Sequence, residues 1–342
     1  MEPLHCIVNP ASRDWRCGKD WPIMKQKLEL AGFEVIEHIT ERIGHGAELA
    51  NELSNDPSLG DGQVIVAVGG DGIVHEVASG IRGSKLVLGQ LPYGSGNDYS
   101  ITHGIPRNNL DEAIEILKSG KDRSCGAWRI EAFPAEGQSD FPSPTQREFD
   151  GKSADERVVR WIFLETDSGI TSAISRAKLS RAKWLHGPKK YTYLGITTIP
   201  FWPRRKVSIK FDESEPQTLD LSMLAACTGE TFGGGYRVCP GMSPNSEDAL
   251  VVVAPRLSRI QMLSLMGPVA KGKHIGKWGI YEKRCKSIEI FPIDKNGNIL
   301  DKPDEKVTWI QTDGEPVLQL PAKLDWHTDQ IIVRGNQSLP WD

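Results

Sequence analysis

Four clusters of residues in this 342-residue chain have the types and spacing for chemistry on phosphates and hydroxyls. The first is Gly69, Gly70, Asp71 and Gly72, which follow the apolar run VIVAV. Missing side chains there permit positive φ angles and let a ligand touch the backbone. Unpaired N–H groups in such a turn, with the positive end of a following helix, make a phosphate site. Asp71 stands among those amides, where a carboxylate repels phosphate unless it meets a metal ion or a substrate hydroxyl. The second cluster, Gly94, Ser95, Gly96, Asn97 and Asp98, follows the run KLVLGQLP. In the third, TDGEP at residues 312–316, Asp313 and Glu315 flank Gly314 and can present carboxylates to a metal or a hydroxyl. AspGly is also an ordinary turn signal, and taken alone the turn reading is the plainer one. The fourth is FGGGYRVCPGM at residues 232–242, with Asn245, Glu247 and Asp248 after it.

The elements that must position these clusters can be read from periodicity. The unbroken apolar run before Gly69 predicts a strand buried on both faces, as in a parallel sheet. Ile73, Val74, Val77, Ala78 and Ile81 share one helix face, so the first glycine turn joins strand to helix. Residues 4–8, 33–39 and 85–91 read as further strands, the first ending at Asn9, Pro10, Ala11 and Ser12, the second at Thr40 and Glu41. In an open alternating sheet such ends face one crevice, where ligands bind. A helix over 110–118 is capped by Asn109 and stopped at Gly120. Residues 133–157, rich in Pro, Ser, Gln, Asp and Glu, read as a long exposed loop. Strand-like runs at 158–164, 206–211, 219–227, 250–253, 287–290 and 307–310 predict an antiparallel sandwich, with 184–195 and 259–267 as helical or irregular exceptions.

Composition bounds the function. Hydrophobic content of 39% and charged content of 25% are those of a globular enzyme with room for two cores. Six cysteines without a CxxC pair read as reduced thiols. The first strand begins almost at once, with no secretory leader, and no apolar run reaches membrane-spanning length, so a cytoplasmic location is expected. A formal net charge of -4 argues against a general nucleic-acid binder and makes any membrane contact local. Basic and aromatic residues mix at 178–193 and in FWPRRK at 201–206. That mixture suits approach to anionic headgroups, although sandwich packing with solvated charges is the plainer reading. Lys271, Lys273, His274 and Lys277 read as attracting phosphate or facing water.

Taken in order, the motifs resemble the diacylglycerol kinase catalytic family, which includes bacterial lipid kinases and sphingosine kinases. The resemblance covers nearly the whole chain: NPAS at 9–12, Thr40 with GHGAELA from Gly44, GGDG from Gly69, LPYGSGND from Leu91, FGGGYRVCPGMSP from Phe232, GKH at 272–274 and DGEP from Asp313. GGDG alone is shared with NAD kinases and 6-phosphofructokinases, but the ordered set is not. The resemblance implies an ATP-binding α/β domain of the NAD-kinase/phosphofructokinase type over residues 1–127, to which about 321–342 return. It implies a C-terminal antiparallel β-sandwich domain for lipid and metal over 128–320, with the substrate cleft between the two.

Residue roles are implied in the same way. Asn9, Pro10, Ala11, Ser12, Arg13, Thr40, Gly69, Gly70, Asp71, Gly72, Ile73, Val74, His75, Ser95 and Asn97 would hold ATP, and Asp98 would meet the substrate. Glu315 resembles the family's general base; an ordinary Glu, with a pKa of about 4.3, is already a base at neutral pH. Asn245, Asp248 and the backbone of Leu250 resemble a structural Mg2+ site, while Asp71 and Asp313 are candidates for organising a catalytic Mg2+. The implied function is Mg2+-dependent transfer of phosphate from ATP to a hydroxyl of diacylglycerol or a related lipid. The implied enzyme is peripheral at a membrane, compatible with a homodimer, and independent of nucleic acid. Arg13, Ile73, Glu165, Thr228 and Ala249 depart from the family pattern, and Glu165 reads as a further metal ligand or a surface residue. The rival readings are an NAD kinase and a catalytically silent ATP- or lipid-binding regulator.

Overall fold

The computed structural model describes residues 3–135, 151–152, 157–182, 184–185, 188–304 and 306–342. The chain divides into two compact units, Met1–Ala127 with Thr328–Asp342, and Trp128–His327.

The first unit is a strand–helix alternation: β1 (Leu4–Val8), α1 (Ser12–Leu30), β2 (Val35–Ile39), α2 (His45–Ser54), β3 (Val64–Gly69), α3 (Asp71–Ile81) and β4 (Val87–Pro92), then α4 (Asp98–Thr102) and α5 (Leu110–Ser119). The strands lie in the order β2–β1–β3–β4 and are all parallel, with Leu4 opposite Val35, His5 opposite Ile65 and Val64 opposite Val87. A segment near the C-terminus adds a parallel strand at the β4 edge, Ile332 opposite Val87. A parallel sheet is covered on both faces, so Val64, Ile65, Val66, Ala67 and Val68 are all buried. The predicted helix face is the one α3 buries, Ile73, Val74, Val77, Ala78 and Ile81. Asn109 caps α5 as expected, its Oδ1 accepting from Glu112 N at 3.2 Å.

The chain leaves the first unit along β5 (Lys121–Pro134). In the second unit follow β6 (Gly151–Lys152), β7 (Val158–Ile162), β8 (Glu165–Gly169), α6 (Ile170–Ser180), α7 (Pro188–Thr198), β9 (Arg205–Phe211), β10 (Gln217–Leu221), β11 (Met223–Cys227), β12 (Ala249–Ala254), α8 (Arg259–Ala270), β13 (Tyr281–Cys285), β14 (Ser287–Pro292), β15 (Trp309–Thr312) and β16 (Glu315–Gly335). One sheet runs β13–β12–β11–β8–β15–β16. Then β16 pairs with β14, which pairs with β9, and β9 with β10, so this strand serves both layers of an antiparallel sandwich. The core between them includes Trp128, Phe211, Val251, Ile288 and Leu318.

Three sequence expectations change here. The run at 219–227 is two strands broken at Ser222, whose carbonyl takes the N–H of Ile170 at 2.9 Å. The expected loop at 133–157 gives Phe133 and Pro134 to β5, and Gly151 and Lys152 to a pairing with β7; residues 136–150 and 153–156 lie outside the described residues. The chain also turns after Ile162 into β8, whose sequence ETDSG carries no apolar periodicity yet is buried throughout. All six cysteines are buried free thiols. Among the described residues no helix is long and apolar enough to cross a membrane.

Candidate active site

In the first unit the two glycine loops touch backbone to backbone. A side-chain carbon on Gly94 would lie 2.3 Å from Gly70 Cα, and one on Gly70 would lie 3.0 Å from Gly94 Cα. The positive φ expected at the first loop falls on Gly69, at 149°; Gly70 is extended at −98°, so close approach and not φ requires glycine there. Ser12 reaches the same turn, its Oγ 2.6 Å from where a Gly69 side chain would begin. The second loop is closed by Asn97, in the left-handed region at φ 53°, whose Oδ1 accepts from Gly94 N at 2.8 Å while Nδ2 donates to Gly94 O at 3.2 Å. Asn97 is thus a buried turn clamp, and Ser95 is the side chain of this loop left exposed.

Two carboxylates flank that loop. A carbon on Gly96 would lie 3.0 Å from Asp71 Oδ2 and 3.2 Å from Asp98 Oδ2. Tyr99 N donates to Asp71 Oδ1 at 3.1 Å, which fixes the first of them. Carboxylate oxygens are hard donors of the kind Mg2+ takes together with phosphate oxygens, so Asp71 has the chemistry for the implied ion, and Asp98, expected to meet the substrate, lies near the same glycine. Asn9 holds its own turn, donating its N–H to Val68 O at 3.0 Å and accepting from Ala11 N at 3.1 Å. Thr40 is buried, and its N–H donates to Val8 O at 2.9 Å. The side chains of Ile73 and Val74 belong to the core, which leaves their backbone as what they can offer a ligand, and His75 is half-buried. Arg13, Asp14 and Trp15 all take left-handed angles, and the Arg13 guanidinium lies 5.5 Å over the Tyr93 ring.

Glu76 is a residue that sequence reasoning missed. Its two oxygens accept from Gly44 N at 3.0 Å and Gly46 N at 2.8 Å, so a carboxylate of α3 satisfies the open amides at the start of α2. A side chain on Gly46 would meet Ile73 Cδ1 at 2.5 Å, and Gly44 takes a left-handed φ of 80°, so packing calls for the second glycine of GHGAELA and backbone conformation for the first.

In the second unit, Thr312 and Glu315 are partners across the β15–β16 hairpin, and Asp313 (φ 47°) and Gly314 (φ 85°) form its two-residue turn. Two positive φ angles match the twist of the flanking strands and suit AspGly. The carboxylates part company at this turn. Asp313 is buried, its Oδ1 accepting from Leu164 N (2.9 Å) and Glu165 N (3.1 Å) and its Oδ2 from Phe163 N (3.0 Å). Both its oxygens are therefore given to the backbone of the β7–β8 turn. Glu315 is 40% exposed and, among the described residues, held through Oε2 by Arg160 Nη2 at 2.6 Å. Arg160 itself is buried, and its place inside the apolar run VVRWI was the overlooked signal, since a buried guanidinium calls for a carboxylate. Glu165 is no surface residue: it is 2% exposed, and its Oε1 accepts from Gln311 Nε2 at 2.6 Å and Gly314 N at 3.0 Å, bracing the turn. Thr228 is buried too, donating to Phe163 O at 2.5 Å.

Next to Glu165 on the same strand face, burial raises the Asp167 carboxyl from 3.8 to about 6 despite bonds from Ser172 and Thr171. Between those values the folded chain keeps a proton that the unfolded chain releases, so stability falls as pH rises through that window and the penalty is complete above it. Asp167→Asn is expected to flatten that fall in urea unfolding measured from pH 3.8 to 6. An unchanged slope would place the proton uptake elsewhere.

The expected structural metal site holds a cation of its own. Arg284, across the strand pair from Leu250, donates through Nη1 to Asp248 Oδ1 at 3.2 Å and to Asp248 O at 3.3 Å, and through Nη2 to Gly241 O at 3.3 Å. Asn245 Oδ1 is bonded to Ser243 Oγ, and Leu250 N meets Met242 Sδ. Among the described residues no three His, Cys, Asp or Glu gather to hold a metal. This donor set does not fit Mg2+ while the guanidinium is in place. Any rise of the parent's melting temperature with Mg2+ is accordingly expected to survive Asp248→Asn, whereas Arg284→Ala is expected to add a Mg2+-dependent rise that Asp248→Asn removes. Stabilisation of the parent that Asp248→Asn abolishes would restore the metal there.

The sequence profile described as "Diacylglycerol kinase catalytic domain" matches residues 3–130, and that described as "YegS C-terminal NAD kinase beta sandwich-like domain" matches residues 166–333. The chain is similar to a diacylglycerol kinase of Bacillus subtilis, 22% identical over 297 residues covering 86% of this chain and 88% of that one. It is also similar to a diacylglycerol kinase of Mycobacterium tuberculosis, 22% identical over 264 residues and 77% of each chain. Among solved structures, a diacylglycerol kinase from Bacillus anthracis superposes with a TM-score of 0.64 at 17% identity, covering 98% of this chain and 97% of that one. A yeast NADH kinase shares the fold at a TM-score of 0.51 and 12% identity, over 99% of this chain and 85% of that one. With both domains of the pair matched in order, one over the nucleotide-type loops and one over the sandwich, the chain belongs to the diacylglycerol kinase catalytic family of kinases.

Proposed function

We propose that this chain transfers the γ-phosphate of ATP to a hydroxyl of diacylglycerol or a related lipid, with Mg2+, while held peripherally at a membrane. The observation that carries the reading is Glu315: a carboxylate at a rigid hairpin turn, open to solvent on one side and aimed by a buried arginine on the other. Phosphoryl transfer asks little covalent work of the protein; rate comes from alignment and from spreading phosphate charge. In the proposed division of labour the amides of the two glycine loops receive the phosphates. Asp71 would hold Mg2+, which when bound neutralises phosphate charge, and Asp98 would meet the substrate. Glu315 takes the proton of the lipid hydroxyl, Arg160 fixes the position of Glu315, and Asp313 and Glu165 keep the turn in shape. The names of the curated relatives support a lipid acceptor.

Purified protein with labelled ATP, offered a panel of diacylglycerols, other lipid alcohols and NAD, tests the reading. Label is expected in a lipid. Label in NAD alone would move the chain to the NAD kinases, and ATP binding without any transfer would make it a silent regulator.

A further inference from the structure

Acidic residues avoid one layer of the second unit. Residues 168–211 and 249–281 hold fifteen of the chain's 41 lysines and arginines and none of its 45 aspartates and glutamates, although the chain as a whole is at -4. These stretches supply α6, α7 with the short helical turn Ile199–Phe201 behind it, and α8. The helices pack together: a side chain on Gly195 of α7 would meet Met266 Cε of α8 at 2.9 Å and Ile174 Cδ1 of α6 at 3.8 Å. Their outer surface carries apolar groups that folding ordinarily hides. Phe201 is 85% exposed, Ile260 81% and Trp184 72%, with the Trp184 and Tyr193 rings edge to face at 5.9 Å. Around them Arg181, Lys189, Arg256 and Arg259 are exposed and, among the described residues, make no ion pair with an acid.

Solvated charges alone need no exposed phenylalanine, tryptophan and isoleucine beside them, and apolar packing alone does not exclude every acid from two separate stretches. Cations for phosphates, with apolar side chains short of a partner, complement an anionic interface that has a hydrocarbon interior. We propose that the α6–α7–α8 layer docks the protein on an anionic lipid surface, with Phe201, Ile260 and Trp184 entering the headgroup boundary and the neighbouring cations pairing with lipid phosphates. This deepens the lipid-kinase reading, on which it rests for the choice of lipid as partner.

The test is sedimentation of the full chain with phosphatidylcholine vesicles, with and without phosphatidylglycerol, alongside turnover of a short-chain diacylglycerol dispersed without vesicles. The protein is expected to sediment with the phosphatidylglycerol vesicles and to be released by salt. Phe201→Ala with Ile260→Ala should weaken partitioning about tenfold, and Arg256→Gln with Arg259→Gln about thirtyfold, since each cation near such a surface contributes on the order of 1 kcal/mol. Leu30→Ala, at an 80% exposed position on α1, should leave partitioning unchanged. Equal partitioning of all these variants overturns the proposal. So does retention on a single-stranded oligonucleotide that the same variants abolish, in the absence of vesicle binding. Turnover of the dispersed acceptor by the docking variants at the parent rate supports it, because only delivery to the surface is then lost. A parent protein that binds vesicles but phosphorylates no acceptor would sink the kinase reading and leave the docking surface standing.

Discussion

Glu315→Gln is expected to lower kcat by about two to four orders of magnitude, the usual contribution of a positioned base, with ATP affinity almost unchanged. The amide preserves the shape that Arg160 holds but cannot accept the hydroxyl proton. Asp313→Asn, two residues away, is expected to act by another route. Its carboxylate serves three backbone amides, and an amide side chain presents NH2 where one acceptor was, leaving a buried donor unmet at a cost of about 1–3 kcal/mol. Its signature is a fall in melting temperature with a proportionate loss of activity. Single-turnover rates and thermal unfolding measured on both variants separate the roles. A full chemical step in Glu315→Gln, with the loss confined to a well-folded Asp313→Asn, reverses the assignment of the base.

Nearly as large an effect is expected at the glycine loops. Gly94→Ala and Gly70→Val each put a carbon where the facing loop has its backbone, at 2.3 Å and 3.0 Å, so the loops must separate and their amides can no longer face one phosphate chain. ATP affinity by calorimetry should fall below detection in both, with far-ultraviolet circular dichroism retained. Near-normal affinity in either folded variant would remove phosphate from this turn. The alanine variant is the sharper of the two, because neither glycine needs a positive φ and the 2.3 Å approach at Gly94 is the deeper clash, so close packing of the loops alone is being read.

What the sequence disclosed and what it hid follow one physical line. Strand β3, the buried face of α3 and the Asn109 cap were legible because periodicity and capping are local. The elements around the proposed base were not. β8 is buried through polar residues whose partners lie on β15, its turn and α6, so it has no hydrophobic pattern, and Glu165 looks like surface until Gln311 and Gly314 are seen to bond its Oε1. The parting of Asp313 from Glu315 depends on amides about 150 positions earlier in the chain, beyond the reach of any spacing rule. Arg284, which occupies the oxygens assigned to a metal, comes from a strand with no motif at all.

The AspGly turn also bears on how the protein ages. Such dipeptides rearrange to isoaspartate when the glycine nitrogen attacks the aspartate side-chain carbon. Here that nitrogen donates to Glu165 and the carboxylate is pinned by three amides, so both reacting groups are held apart from each other by bonds to third parties. Peptide mapping after storage at neutral pH should find aspartate at 313 in the parent protein and isoaspartate accumulating in Glu165→Ala; equal rates in the two would show that the turn gains no protection from its brace. The residue that steadies the proposed base therefore also sets the shelf life of the backbone beneath it.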